Sequence, residues 1–125
     1  MTSLKTYHQL ETWQSGMTLV ERCYKVSRKF PDEERFGLTS QLRRAAVSIP
    51  CNLAEGACRR STNVFMNHVS IALGSHAEVE TCVEIAFRLG YLDPDGKAAL
   101  LDVADSTGRL LNGLLRSLTA KVPHR

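Results

Sequence analysis

Residues 61–89 read STNVFMNHVSIALGSHAEVETCVEIAFRL, and this stretch decides the fold. Phe65, Val69, Ala72, His76, Val79, Val83 and Ala86 recur in it at steps of three and four, the spacing that lines one face of an α-helix. Ser61 stands where a hydroxyl would cap the first turn. Met66, Ile71, Leu73, Ile85 and Phe87 fall off that face, and one helical stripe cannot bury them all. A helix apolar on more than one side is covered on more than one side, which predicts self-association through this segment. Gly74 costs roughly 1 kcal/mol relative to Ala inside a helix, so a backbone or large side chain is expected close by.

Three breaks flank or divide the rest: Phe30-Pro31-Asp32, the stretch from Gly56 to Ser61, and Gly90 to Gly96. They leave helices at about 9–29, 38–58, 62–89 and 95–120. In the first, Leu10, Trp13, Met17, Val20 and Tyr24 form the apparent bundle seam. Leu38, Leu42, Ala45, Ile49 and Leu53 form the second, with Pro50 inside it. A proline there removes one backbone hydrogen bond and crowds the carbonyl of Ala46, at a cost of about 3 kcal/mol, so a kink is expected. The fourth opens with Asp93 and Pro94 as N-cap and first-turn residue, and its seam runs Leu100, Ala104, Thr107, Leu111, Leu114, Leu118. Short loops predict an all-α, antiparallel up-down-up-down four-helix bundle with helix 2 kinked at Pro50.

Composition agrees. With 125 residues, 43% of them apolar and only 6% aromatic, the chain is expected to fold as one helical domain over 1–125. No run approaches the roughly 18 apolar residues of a membrane span, and Met1 to Tyr7 lacks the charged start and apolar core of an export signal. A cytoplasmic protein is expected. Cys23, Cys51, Cys58 and Cys82 form no C-x-x-C pair and fit buried free thiols.

A search for catalytic chemistry finds no nucleophile with a base and no phosphate loop. His76 lies in an apolar seam, where a core or interface histidine is the simpler reading. His68 and His76 are too far apart in sequence for the i, i+4 pair that shares a metal on one helix. Glu78, Glu80 and Glu84 lack the Glu-x-x-His pattern of di-iron bundles. No enzyme activity, metal or cofactor is therefore expected.

Two polar features remain. Residues 1–60 hold ten Lys/Arg against six Asp/Glu, whereas residues 61–125 hold six against seven. Arg22, Lys25 and Lys29 share a flank of helix 1, and with Arg43, Arg59 and Arg60 they are the candidates for gripping phosphates by charge. Few aromatics accompany them, so base stacking is not indicated. Beside the seam of helix 2, Gln41, Arg44, Ser48, Asn52, Glu55 and Arg59 form a continuous polar stripe. Arg44 and Glu55 are expected to meet Glu78 or Glu80 in a partly buried network that sets register.

The run Phe30-Pro31-x-x-Glu34-Arg35-Phe36-Gly37-Leu38-Thr39-Ser40-Gln41-Leu42-Arg43-Arg44-Ala45-Ala46-x-Ser48-Ile49-Pro50-x-Asn52-Leu53-Ala54-Glu55-Gly56 resembles the signature of a family first named from intervening sequences in bacterial 23S ribosomal RNA genes. The match continues through Ile71-Ala72-Leu73-Gly74-Ser75, Glu78-x-Glu80-Thr81 and Arg88-Leu89-Gly90-Tyr91-Leu92, and opens with Leu10-x-x-Trp13-Gln14. That family is similar in fold to the accessory variability protein of diversity-generating retroelements, whose basic five-membered barrel binds nucleic acid and a reverse transcriptase. The resemblance implies a homopentamer without enzymatic activity, with RNA, DNA or a reverse transcriptase-like protein as partner. A protein adaptor or structural ring with no nucleic-acid role is the alternative. The sequence departs from the pattern at His76, where the family carries an aliphatic residue, and after Arg59-Arg60, where Ser61-Thr62-Asn63 supplies no acidic group. Were His76 at a subunit seam, acidification would loosen the ring.

Overall fold

The computed structural model describes residues 6–123; the first five residues and the last two lie outside that range, as does most of the segment read above as carrying no export signal. Four α-helices make up the fold: α1 (Glu11–Ser27), α2 (Leu38–Ala57), α3 (Thr62–Arg88) and α4 (Pro94–Ala120), with no strand among the described residues. Short 3-10 turns, Thr6–Gln9 and Asp32–Glu34, precede α1 and α2. No helix among the described residues is long and apolar enough to cross a membrane.

Local chemistry sets the helix ends. Ser61 Oγ accepts the N–H of Val64 at 3.2 Å to open α3, and Asp93 Oδ1 accepts that of Gly96 at 2.6 Å to open α4. At the end of α3, Gly90 takes a φ of 81°, which a residue without a Cβ adopts freely. The N–H of Tyr91 then reaches the carbonyl of Ala86 at 2.8 Å, and that of Gly90 reaches Phe87 at 3.0 Å, satisfying two carbonyls of the last turn.

Each helix packs beside its neighbours in the chain and α4 returns beside α1, while the diagonal pairs keep their backbones apart. Leu42, Ile49 and Leu53 of α2, Val69, Val79 and Val83 of α3, and Leu100 and Leu111 of α4 fill the centre. Thus α2, α3 and α4 bury the faces that their apolar periodicity marks. The first helix does not. Its buried residues are Thr12, Gly16, Leu19, Cys23 and Ser27, one position round from the expected stripe. Trp13, Val20 and Tyr24 are only half-buried, and Met17 is 38% exposed. The reason is distance of approach: a Cβ on Gly16 would lie 3.3 Å from Ile49 Cγ2 and 3.6 Å from Pro50 Cδ, so the tight crossing of α1 on α2 selects small residues. Pro50 stands within α2, and the helix continues past it to Ala57.

Two further expectations change. Nothing lies within 4 Å of a Cβ built on Gly74, so this glycine faces open space rather than a neighbouring backbone. All four cysteines are free, but only Cys23 and Cys82 are buried; Cys51 and Cys58 are exposed. Desolvation, reinforced by neighbouring Cys82, pushes the Cys23 thiol up to about 12, which leaves it an inert packing group.

Candidate functional site

A polar ladder runs along the seam of α2 and α3. Gln41 donates to the carboxylate of Glu78 and accepts from Arg44 Nη2 at 3.3 Å. Farther along, Ser75 Oγ meets Ser48 Oγ at 2.8 Å, and Asn52 Nδ2 donates to the same Ser48 hydroxyl at 3.0 Å and to the Ser48 carbonyl at 2.9 Å. Asn52 Oδ1 lies 3.0 Å from His68 Nδ1, whose other ring nitrogen is 3.8 Å from Glu55. Beside these rungs a Cβ on Gly56 would come within 2.8 Å of both His68 Cβ and Phe65 Cδ1, so the helices close against a bare backbone there. The ladder thus joins Gln41, Arg44, Ser48, Asn52, Glu55 and Glu78. Arg44 reaches Glu78 only through Gln41, and Glu55 pairs with Arg59 at 3.3 Å. Ser75 and His68 complete the rungs; both lie on α3, outside the helix 2 stripe whose spacing marked most of the other members.

His76 and Glu80 belong elsewhere. The His76 ring turns toward α4, where Nε2 lies 2.6 Å from the Ala104 carbonyl and Nδ1 lies 3.6 Å from Glu80 Oε1. A Cβ on Gly108 would stand 2.8 Å from His76 Cε1. An imidazole in a core of aliphatic groups therefore has a hydrogen-bond partner and a cradle cut for it, both from its own chain.

The six candidate cations do not form one patch. Arg59 and Arg60 lie in the turn beyond Ala57, which itself stands roughly 21 Å along α2 from Arg43 at about 1.5 Å rise per residue. Arg43 is tied to α1: its Nε donates to Ser27 Oγ at 2.8 Å and its guanidinium lies 4.5 Å above the Tyr24 ring. Arg22, Lys25 and Lys29 rim a cleft of about 290 Å³ between α1 and the start of α4. None of these three has a carboxylate within ion-pair reach among the described residues. Val26, Leu92 and the buried Leu100 supply its apolar lining, and Tyr91 stands as a wall. Tyr91 is held on two sides, by the Phe30 ring at 5.6 Å between centroids and by a 2.8 Å hydrogen bond from its hydroxyl to Glu34 Oε2. The other oxygen of Glu34 accepts the N–H of Leu38 at 3.1 Å and so caps α2. Those two bonds, the backbone one foremost, hold the Glu34 carboxyl below its usual range, and the carboxylate in turn raises the Tyr91 hydroxyl. The cleft walls come from a loop and two helices distant in sequence, so spacing alone offered no signal for Tyr91 or Leu92.

No cluster of three or more His, Cys, Asp or Glu able to hold a metal occurs among the described residues. What the fold and these sites define is an all-α protein of four helices around an apolar core, locked on one side by a polar ladder and open on another at a cationic cleft. The chain belongs to the 23S rRNA-intervening sequence protein family, whose family model matches residues 8–113. It is also similar to the crystal structure of a protein of unknown function from the S23 ribosomal protein family of Bacteroides thetaiotaomicron VPI-5482. The TM-score is 0.78 at 21% identity, over 84% of this chain and 95% of that one, a likeness of fold. Comparison with curated proteins gives no match. Neither the family nor the neighbour is described with a catalytic activity.

Proposed function

We propose that this chain is a single-domain, non-catalytic scaffold in the cytoplasm that assembles with copies of itself and binds nucleic acid, or a nucleic-acid-processing partner, through a basic face. The observation that carries the reading is the flank of Arg22 and Lys25 on α1 and Lys29 in the turn that follows it, three cations on the rim of one cleft without ion-pair partners among the described residues. Unpaired surface cations gain most when they meet phosphates, because each contact releases condensed counterions. In this reading the bundle is antiparallel up-down-up-down: partners on α2 and α3 run in opposite order, from Gln41 with Glu78 through Ser48 with Ser75 to Asn52 with His68. The bend proposed at Pro50 is supported by its missing N–H, which leaves the carbonyl of Ala46 without its helical donor.

Self-association is supported by the outer face of α3. Ile71 is 46% and Ile85 41% exposed, and Gly74 between them has no close neighbour within the chain. A glycine that weakens an exposed helix without an internal reason suits close packing by a second copy. A ring of such copies, five in number as the family resemblance implies, would repeat the basic flank around its circumference.

The protein-adaptor alternative draws on a different feature. Trp13, Met17, Val20, Val47 and Pro50 line an apolar groove of about 350 Å³ between α1 and α2, a surface suited to a protein partner. Light scattering at low salt, with and without a short duplex, separates the readings. A multimeric mass that rises with duplex supports the proposal; a multimer indifferent to duplex favours the adaptor, and a single-chain mass overturns the assembly.

A further inference from the structure

We infer that the cleft between α1 and the start of α4 receives one unpaired nucleotide, its base against the apolar lining and its flanking phosphates on Arg22, Lys25 and Lys29. The inference rests on the reading of this flank as a phosphate-binding face and names the form of nucleic acid it takes.

Charge alone would need only a flat basic surface. Here the cations instead surround a concavity lined by Val26, Leu92 and Leu100. At about 290 Å³ it lies at the bottom of the range for ligand clefts, on the order of 300–1,000 Å³, which leaves room for a single planar heterocycle and not for a dinucleotide. Arg22 and Lys25 stand roughly 4.5 Å apart along α1 and Lys29 follows in the turn beyond Ser27, a spread that suits successive phosphates of a strand rather than one isolated anion. Asp93 settles which part of the nucleotide goes inside. Asp93 is among the residues lining the cleft, its carboxylate held by the Gly96 N–H, so a negative charge beside the cavity disfavours a phosphate inside it and leaves the uncharged base as the group that enters. Tyr91 is already fixed by Phe30 and Glu34, so contact with its ring costs little ordering. A base in a duplex must first be unstacked and unpaired, at a cost of a few kcal/mol, whereas a single strand presents it freely. Recognition of this kind is sequence-tolerant, because every base has an apolar face.

The test compares short labelled oligothymidylate and oligouridylate with an abasic strand of equal length, using fluorescence anisotropy at low salt. The abasic strand keeps the phosphates and removes the bases. The wild-type protein is expected to bind the base-bearing strands about tenfold more tightly, the tighter of the two showing whether RNA or DNA is preferred. Ala99→Phe, at an exposed helical position on the cleft, fills the space with no change of charge and is expected to erase that difference while leaving abasic binding intact. Ala99→Met serves in its place should circular dichroism show the Phe variant misfolded. Lys25→Glu with Lys29→Glu is expected to weaken all strands alike. Equal wild-type affinity for abasic and base-bearing strands would overturn the cleft inference and leave the basic face standing; no binding of any strand would overturn both.

Discussion

The two long sides of this bundle are closed by different means. Between α2 and α3 three hydrogen-bonded side-chain pairs reach across, Gln41 with Glu78, Ser48 with Ser75 and Asn52 with His68, and Gly56 lets the helices meet without a side chain between them. Between α1 and α4 the side-chain hydrogen bonds among the described residues come from one pair, Ser15 and Thr107, whose hydroxyls meet at 2.7 Å, and a cleft opens between α1 and the start of α4. A side cross-linked along its length holds register, whereas a side pinned at one point leaves space that a ligand can occupy. Placing cations on the open side and neutral or paired polar groups on the closed one divides the molecule into a frame and a working face.

The largest effect is expected from attacking the closed side. Gly56→Ala drives a methyl against His68 Cβ and Phe65, neither of which is a freely moving chain end, and overpacking of this kind costs about 1–3 kcal/mol. Chemical denaturation should show that loss, together with weakened coupling between Asn52 and His68. Next comes the seam of α3 and α4. Gly108→Ala alone is expected to destabilise by about 1–2 kcal/mol because its methyl meets the His76 ring. In a His76→Ala background the same change should be neutral or stabilising, since alanine is the better helix former. A double-mutant cycle measures that non-additivity directly, and additive effects would show that the ring does not occupy the cradle. On the open side, Thr107→Val keeps the shape of a fully buried residue and deletes its bond to Ser15, for an expected loss of about 1 kcal/mol in the same assay.

Smaller effects sharpen the contrast at the ends and the outer surface. Gly74→Ala should raise the stability of the isolated bundle by up to about 1 kcal/mol, read as a higher midpoint of thermal melting. A simultaneous fall in assembly mass would mark Gly74 as a contact point between copies. Glu34 links the cap of α2 to Tyr91, and its folded-state carboxyl is held low. Its contribution is therefore fully present above the ordinary carboxylate range and is lost as pH falls through the lowered value. Glu34→Gln should be less stable than wild type near neutral pH, and the gap should narrow on acidification; an unchanged gap would show that Glu34 adds nothing by its charge.

Why some of this was readable in the sequence and some was not follows from what the helices bury. In α2, α3 and α4 most core positions are Leu, Ile, Val and Ala, so hydrophobic periodicity points at the correct face. In α1 the core positions include Thr12, Gly16 and Ser27, and the larger apolar residues lie one step round, where they line a groove instead. Periodicity weighs hydrophobicity and is blind to how closely two backbones approach. The cationic flank was legible for the opposite reason, because Arg22, Lys25 and Lys29 follow helical spacing along α1 and into the turn that continues it. Arg43 was grouped with them by charge alone, but it is anchored by Ser27 and Tyr24 of a different helix. Arg59 and Arg60 stand at the far end of α2, a separation that only the folded length of that helix reveals.

Hydrogen–deuterium exchange of the full chain, with and without a saturating short single strand, tests the division into frame and working face most directly. The account predicts added protection in peptides covering residues 22–29 and 91–100, with the exchange of the α2–α3 ladder unchanged. Protection centred on the ladder or on Arg59 and Arg60, or no protection anywhere, would contradict it.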